Sequence, residues 1–165
     1  MFKTDRLFVR HLGAEDVNAM HSVYGDREVV RYAGDGEPLD RDGCAGWVVV
    51  SEKNYATRGY GMSALVLKAT GEIVGFCGLV HPGGQVEVEI KYALGGEHWG
   101  RGYATEAVRG MLTYGLEEFD IQHVIATVDP ENKASLHVLG KAGLSVNKIE
   151  RNEDGSDTVV LSWHA

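Results

Sequence analysis

The stretch HWGRGYATEA, residues 98–107, sets two glycines around an arginine where an alternating pattern stops and a helical one begins. Glycine weakens strands and helices alike, so Gly100 and Gly102 must serve something other than regular structure. A Gly-rich turn between a strand and a helix N-terminus binds anions. The first helical amides have no intrahelical partner, the macrodipole favours negative charge there, and a missing Cβ lets a phosphate approach the backbone. Arg101 inside the turn adds a charge-assisted donor. These residues alone leave open a plainer reading, a tight turn whose glycines serve geometry only.

Two phosphate motifs can be tested against the turn. GxxxxGK[ST] is absent. The dinucleotide fingerprint GxGxxG fits in part: Gly100 and Gly102 match, the third position is Thr105, and Asp129 could pose as the ribose-binding acid. The residues upstream argue against it. GMSALVLKA (61–69), EIVGFCGLV (72–80) and QVEVEIKYAL (85–94) read as consecutive strands. Their spacers are too short for crossover helices and predict an antiparallel meander, whereas the fingerprint opens a right-handed parallel βαβ array.

Further outward, 7–12 reads as a strand, 13–26 and 27–32 as helices, and a longer helix runs through Trp47, Val50 and Tyr55 to about residue 58. Downstream, Ala104 to Phe119 has a helical stripe of Ala107, Val108, Met111, Leu112 and Leu116. HVIATV (123–128) is a strand, and Asn132 to Ala142 is a helix closed by Gly143. A last hairpin pairs 144–150 with 158–163. With no repeat or linker, 165 residues predict a single domain over 1–165.

The net charge of −8, with no cluster of Lys and Arg, argues against a nucleic-acid partner. No apolar run approaches the ~20 residues of a membrane span, and charges at positions 3, 5, 6 and 10 exclude a signal-peptide core. Cys44 and Cys77 lack CxxC spacing and read as reduced thilos of a cytoplasmic protein. Seven histidines include no HxxxH pair, so no metal is expected.

HWGRGYATEA, with VEIKYAL before it and ENKASLHVLGKAGL (131–144) after it, resembles the GNAT superfamily of acyl-CoA-dependent N-acetyltransferases, in particular its RimJ/RimL-like branch. The opening TDRLFVRHLGAEDVNAMHSVYGDREVVRYAG is similar to that branch too. The resemblance implies an α+β GNAT fold, a mixed, mostly antiparallel sheet of six or seven strands flanked by helices. The family's Q/R-x-x-G-x-G/A falls on Trp99, Gly100, Arg101, Gly102, Tyr103 and Ala104, with Trp99 in place of Q/R. This segment is thereby implied to hold the coenzyme A pyrophosphate. The strand at Tyr92, Ala93 and Leu94 is implied to pair with the pantetheine arm and to supply the oxyanion donor.

Asn132 and Ser135 stand i, i+3 on one side of a helix, and Asn132 is a good N-cap after Asp129-Pro130. The resemblance adds that both face acetyl-CoA, with Ser135 near its sulfur. The superfamily often supplies a tyrosine acid seven residues after that asparagine. Here that position is Leu139, which moves the acid to Ser135 or to water.

Acetyl transfer from a thioester needs a neutral amine, a donor for the oxyanion and a proton for the departing thiolate. Glu87 and Glu89 alternate with Val86, Val88 and Ile90, so both are expected on the opposite face, with Glu89 the candidate base ahead of Glu87 or a water relay, or else the two form a charged face that meets Lys91 or solvent. The reading is direct transfer from acetyl-CoA to a primary amine, on a small molecule or a protein N-terminus. A GNAT-like domain that binds acyl-CoA without turnover is the alternative, ahead of a dinucleotide-binding domain. Acidic residues in loops 24–38 and 150–157 either attract a cationic acceptor or are solvated. The resemblance also leaves a homodimer open.

Overall fold

The computed structural model describes residues 1–165 and contains one eight-stranded sheet. Its strands are β1 (Phe2–Lys3), β2 (Leu7–His11), β3 (Met62–Leu67), β4 (Ile73–Val80), β5 (Glu89–Leu94), β6 (His123–Val128), β7 (Ser145–Arg151) and β8 (Asp157–His164). The helices are α1 (Val17–Tyr24), α2 (Arg27–Val30), α3 (Arg41–Arg58), α4 (Tyr103–Phe119) and α5 (Lys133–Ala142). The sheet order is β1-β2-β3-β4-β5-β6-β8-β7, and every pairing is antiparallel except β5 with β6. The expected meander is β3-β4-β5, and the expected α+β architecture, a mixed and mostly antiparallel sheet flanked by helices, is present. The eighth strand is the two-residue β1, too short to carry a periodic signal. No helix is long and apolar enough to cross a membrane.

Alternation along the strands builds a core on each face of the sheet. Leu65, Leu79, Ile90 and Leu161 meet Val108 and Met111 of α4 and Leu139 of α5. On the other face, Met62, Ala64 and Phe76 meet Met20 and Val23 of α1 and Cys44 and Val48 of α3. Trp47 and Val50 of α3 are exposed; that helix turns Cys44, Val48 and Ser51 inward instead. The helix expected over 13–26 is divided into a 3-10 turn at Ala14–Asp16 and α1. Asp16, buried at the junction, takes two bonds of 2.8 Å from Arg10 and one of 2.9 Å from the Gly13 amide.

The strand expected over 85–94 begins only at Glu89. Pro82–Gly84 forms a 3-10 turn and Val86 and Glu87 lie in a bend, which breaks the period-2 pattern and leaves Val86 89% exposed. Glu87 and Glu89 therefore do not share a strand face: Glu87 is exposed and Glu89 is buried.

β4 carries Gly75 and Gly78 inside a strand because neighbouring backbone passes too close for a side chain. A Cβ at Gly78 would lie 2.3 Å from the Gly61 carbonyl oxygen and 2.5 Å from Met62 Cα. Gly78→Ala is expected to destabilise the fold by about 1–3 kcal/mol, the usual cost of overpacking, read as a lowered midpoint in urea unfolding. An unchanged midpoint would contradict this close approach.

Candidate active site

β5 and β6 share a single paired position, Glu89 with Ile125, closed by the Ile125 amide donating to the Val88 carbonyl at 2.8 Å. Beyond it the strands separate. Backbone groups of alternate residues point to opposite edges of a strand, so the alternation that turns Val88 towards β6 turns Tyr92 and Leu94 into the gap. Ala93 faces the other way, paired with Phe76 of β4. Of the three strand residues expected to meet the pantetheine arm, the structure brings two to the opening.

The strand ends on either side of this gap lead to α4 and α5. Ligands in open α/β sheets sit in this kind of crevice, outside the carboxyl ends of strands that part. The α4 terminus is bare: Gly102 is its N-cap, with φ 81° and no side-chain cap, which leaves the amides of Tyr103, Ala104 and Thr105 without intrahelical partners. Gly100 also has positive φ, 71°, and nothing lies within 4 Å of where its Cβ would be. An L-residue would be strained at either position. The turn thus offers free amides and open space, which fits a pyrophosphate. Trp99 anchors its start, its Nε1 donating to the Leu94 carbonyl at 2.9 Å, and the Arg101 side chain is exposed.

The N-terminal segment holds this turn from about 100 residues away in sequence. The carboxylate of Glu106, in the first turn of α4, accepts from Thr4 Oγ1 at 2.6 Å and from the Arg6 amide and Nε at 2.7 Å each. Arg6 Nη1 donates to the Arg101 carbonyl at 2.8 Å, and its guanidinium lies 4.4 Å over the Tyr103 ring. Burial alone would raise the Glu106 pKa, but the bonds from Thr4 and Arg6 outweigh it and hold the carboxyl below its ordinary range. Two open grooves meet at Arg6. One, of about 690 Å³, runs along α4 past Glu106, Arg109 and Lys141; the other, of about 580 Å³, passes Glu72, His98 and Tyr103. Neither is lined by Glu89, Tyr92 or Ser135.

Across the gap, Asn132 caps α5 by accepting from the Ser135 amide at 3.1 Å, the capping role read from its position. The Ser135 hydroxyl lies 2.7 Å from the Tyr92 hydroxyl. Burial pushes the Tyr92 phenol up to about 12 despite the opposing bond to Ser135, so it keeps its proton at neutral pH. Leu139, where the resemblance leads one to seek a tyrosine, is 1% exposed in the core. Glu89, only 2% exposed, stands at the last paired position. It is ion-paired with Lys91 at 2.5 Å, accepts a short bond from Thr127 Oγ1, and accepts from the Thr127 amide at 3.3 Å and from Gln85 at 3.4 Å. Both thiols are buried and raised by that burial, Cys77 to about 12, which leaves neither suited to be a nucleophile.

Residues 6–145 match the family model of the acetyltransferase (GNAT) domain. The uncharacterised protein YkkB of Bacillus subtilis is 35% identical over 153 residues, covering 90% of this chain and 87% of its own. The N-acetyltransferase p20 of Bacillus licheniformis, also uncharacterised, is 30% identical over 90% of this chain and 84% of its own. A GNAT-family acetyltransferase from Bacillus anthracis has the same fold, with a TM-score of 0.84 at 24% identity over 98% of this chain and 96% of that one. The chain belongs to the GNAT family and is an acetyl-CoA-dependent acetyltransferase.

Sequence reading missed Arg6, Glu106 and the hydroxyl of Tyr92. Nothing local marks them, because each acts on a partner brought close only by the fold. His98, in the 3-10 turn that precedes Trp99, is buried.

Because the folded pKa of Glu106 is below its ordinary value of 4.5, the clamp contributes fully above that pH and is lost as pH falls through the folded value. Thermal unfolding measured from about pH 6 to 3 should show a smaller acid-side loss of stability in Glu106→Gln than in the parent. Equal slopes would mean that the carboxylate contributes nothing.

Proposed function

We propose that this enzyme transfers the acetyl group of acetyl-CoA directly to a primary amine, with the gap between β5 and β6 as the seat of the reaction. The observation that carries this reading is the hydroxyl pair Tyr92–Ser135 spanning that gap, beside the edge of β5 that is not paired with β6. The bare amides from Gly100 to Ala104, with Trp99 and Arg101, hold the pyrophosphate. The Tyr92 and Leu94 backbone takes the pantetheine arm, and an amide of this edge donates to the oxyanion. Asn132 sets the first turn of α5 so that Ser135 faces the sulfur.

The amine nitrogen bonds to the thioester carbonyl carbon and the carbon–sulfur bond breaks. Glu89, held by Lys91 and Thr127, accepts the proton lost from nitrogen through water. Ser135 gives its proton to the thiolate and is reprotonated by Tyr92, which regains a proton from solvent while Glu89 releases its own there, so the hydroxyl pair fills the part that Leu139 cannot. A pair is suited to this because Tyr92 keeps its proton at neutral pH and both residues stand half-buried at the gap they span.

The acceptor is a small-molecule amine or a protein N-terminus. Several acidic residues of the flanking loops are already engaged: Asp26 caps α2, Asp154 accepts from the Ser156 amide and Asp157 pairs with Arg151. Glu28 and Glu153 are exposed and remain to draw a cationic amine.

Ser135→Ala and Tyr92→Phe are each expected to lower kcat for thiol release by about 10²-fold, the lower range for a general acid, while acetyl-CoA still raises the melting temperature. Unchanged kcat in both variants would refute the hydroxyl pair. Acetyl-CoA binding with no thiol release against any amine in the parent protein would favour the non-catalytic reading. Gly102→Val should abolish acetyl-CoA binding in a folded protein; binding retained within a few-fold would overturn the pyrophosphate assignment.

A further inference from the structure

His98 is 6% exposed and neither ring nitrogen has a hydrogen-bond partner. A buried polar nitrogen left unpaired is costly, so its surroundings matter. Nε2 points at two carboxylates, 3.4 Å from Glu72 Oε1 and 3.6 Å from Glu97 Oε1. Charge-assisted hydrogen bonds between such groups run to about 2.7–2.9 Å, and both separations exceed that. They do match another arrangement: bonds of about 2.0–2.2 Å to one ion at tetrahedral angles put the ligand atoms about 3.4 Å apart. The three ligand atoms all lie within 4.8 Å of one another.

We propose that Glu72, Glu97 and His98 form a binding site for a divalent transition-metal ion, with zinc as its type. One imidazole nitrogen and two carboxylate oxygens suit zinc, cobalt or manganese rather than a soft ion such as copper(I). The glutamate side chains are 54% and 72% exposed, which leaves an entry path and a fourth position for water. The ligands come from two places: Glu72 from the turn between β3 and β4, Glu97 and His98 from the 3-10 turn at Gly96–His98 that follows β5. A bound ion ties these segments together one residue ahead of Trp99, and so fixes the entry to the phosphate-binding turn. Spacing rules could not find this site, because the fold supplies Glu72 from 25 residues upstream of Glu97. It stands independently of the proposed proton path.

The test uses the whole chain, stripped with a chelator and titrated with zinc chloride by calorimetry, with thermal unfolding as a second readout. The stacked pair His123 and His164, with ring centroids 4.5 Å apart, is a competing zinc ligand set, so His164→Ala is the control. The expected result is one saturable equivalent that raises the melting temperature, is weakened at least tenfold in the exposed double variant Glu72→Gln, Glu97→Gln, and survives in His164→Ala. No saturable binding would leave only polar contacts between His98 and the two glutamates, and would overturn the proposal. So would binding that the double variant leaves intact, or that His164→Ala alone removes.

Discussion

The structure turns on the single shared position of β5 and β6. Were the two strands paired along their length, Tyr92 and Leu94 would spend their backbone groups on β6, and the sheet would offer no edge in its middle. Buried free amides and carbonyls are costly, so a divided sheet persists only where something else meets the exposed edge. Here Trp99 reaches back to one of those carbonyls, and the hydroxyls of Tyr92 and Ser135 bridge the opening. Glu89, at the last paired residue, is held by Lys91 and Thr127, which pins the point of divergence. The same residue therefore has a structural task whether or not it moves a proton.

Around that division the fold assembles three kinds of local order. A bare helix terminus supplies positive potential, two hydroxyls meet across the opening, and a buried carboxylate receives polar contacts. None needs an unusual residue; each follows from where a strand ends and a helix begins.

Much of this was legible in the sequence, for physical reasons. The glycines around Arg101 declare a turn that only positive φ satisfies, and both adopt it. The meander showed because its spacers are too short for anything else, and Asn132 showed because capping is a local act. The short start of β5 did not show: Val86 and Val88 keep the alternation of a strand while Pro82–Gly84 has already bent the chain. The hydroxyl pair was hidden for a different reason. Tyr92 lies 43 residues from Ser135, and no helical or strand period relates them.

The clamp of Thr4 and Arg6 on Glu106 also bears on how the molecule is made. During synthesis the first six residues emerge long before the helix they fasten, and they must remain available until about a hundred more have followed. The turn at Gly100–Gly102 is therefore fastened only after the first turn of α4 has been made. A leader or fusion that restrains the N-terminal segment would act on that turn at a distance, through the schedule of folding as much as through the final contacts.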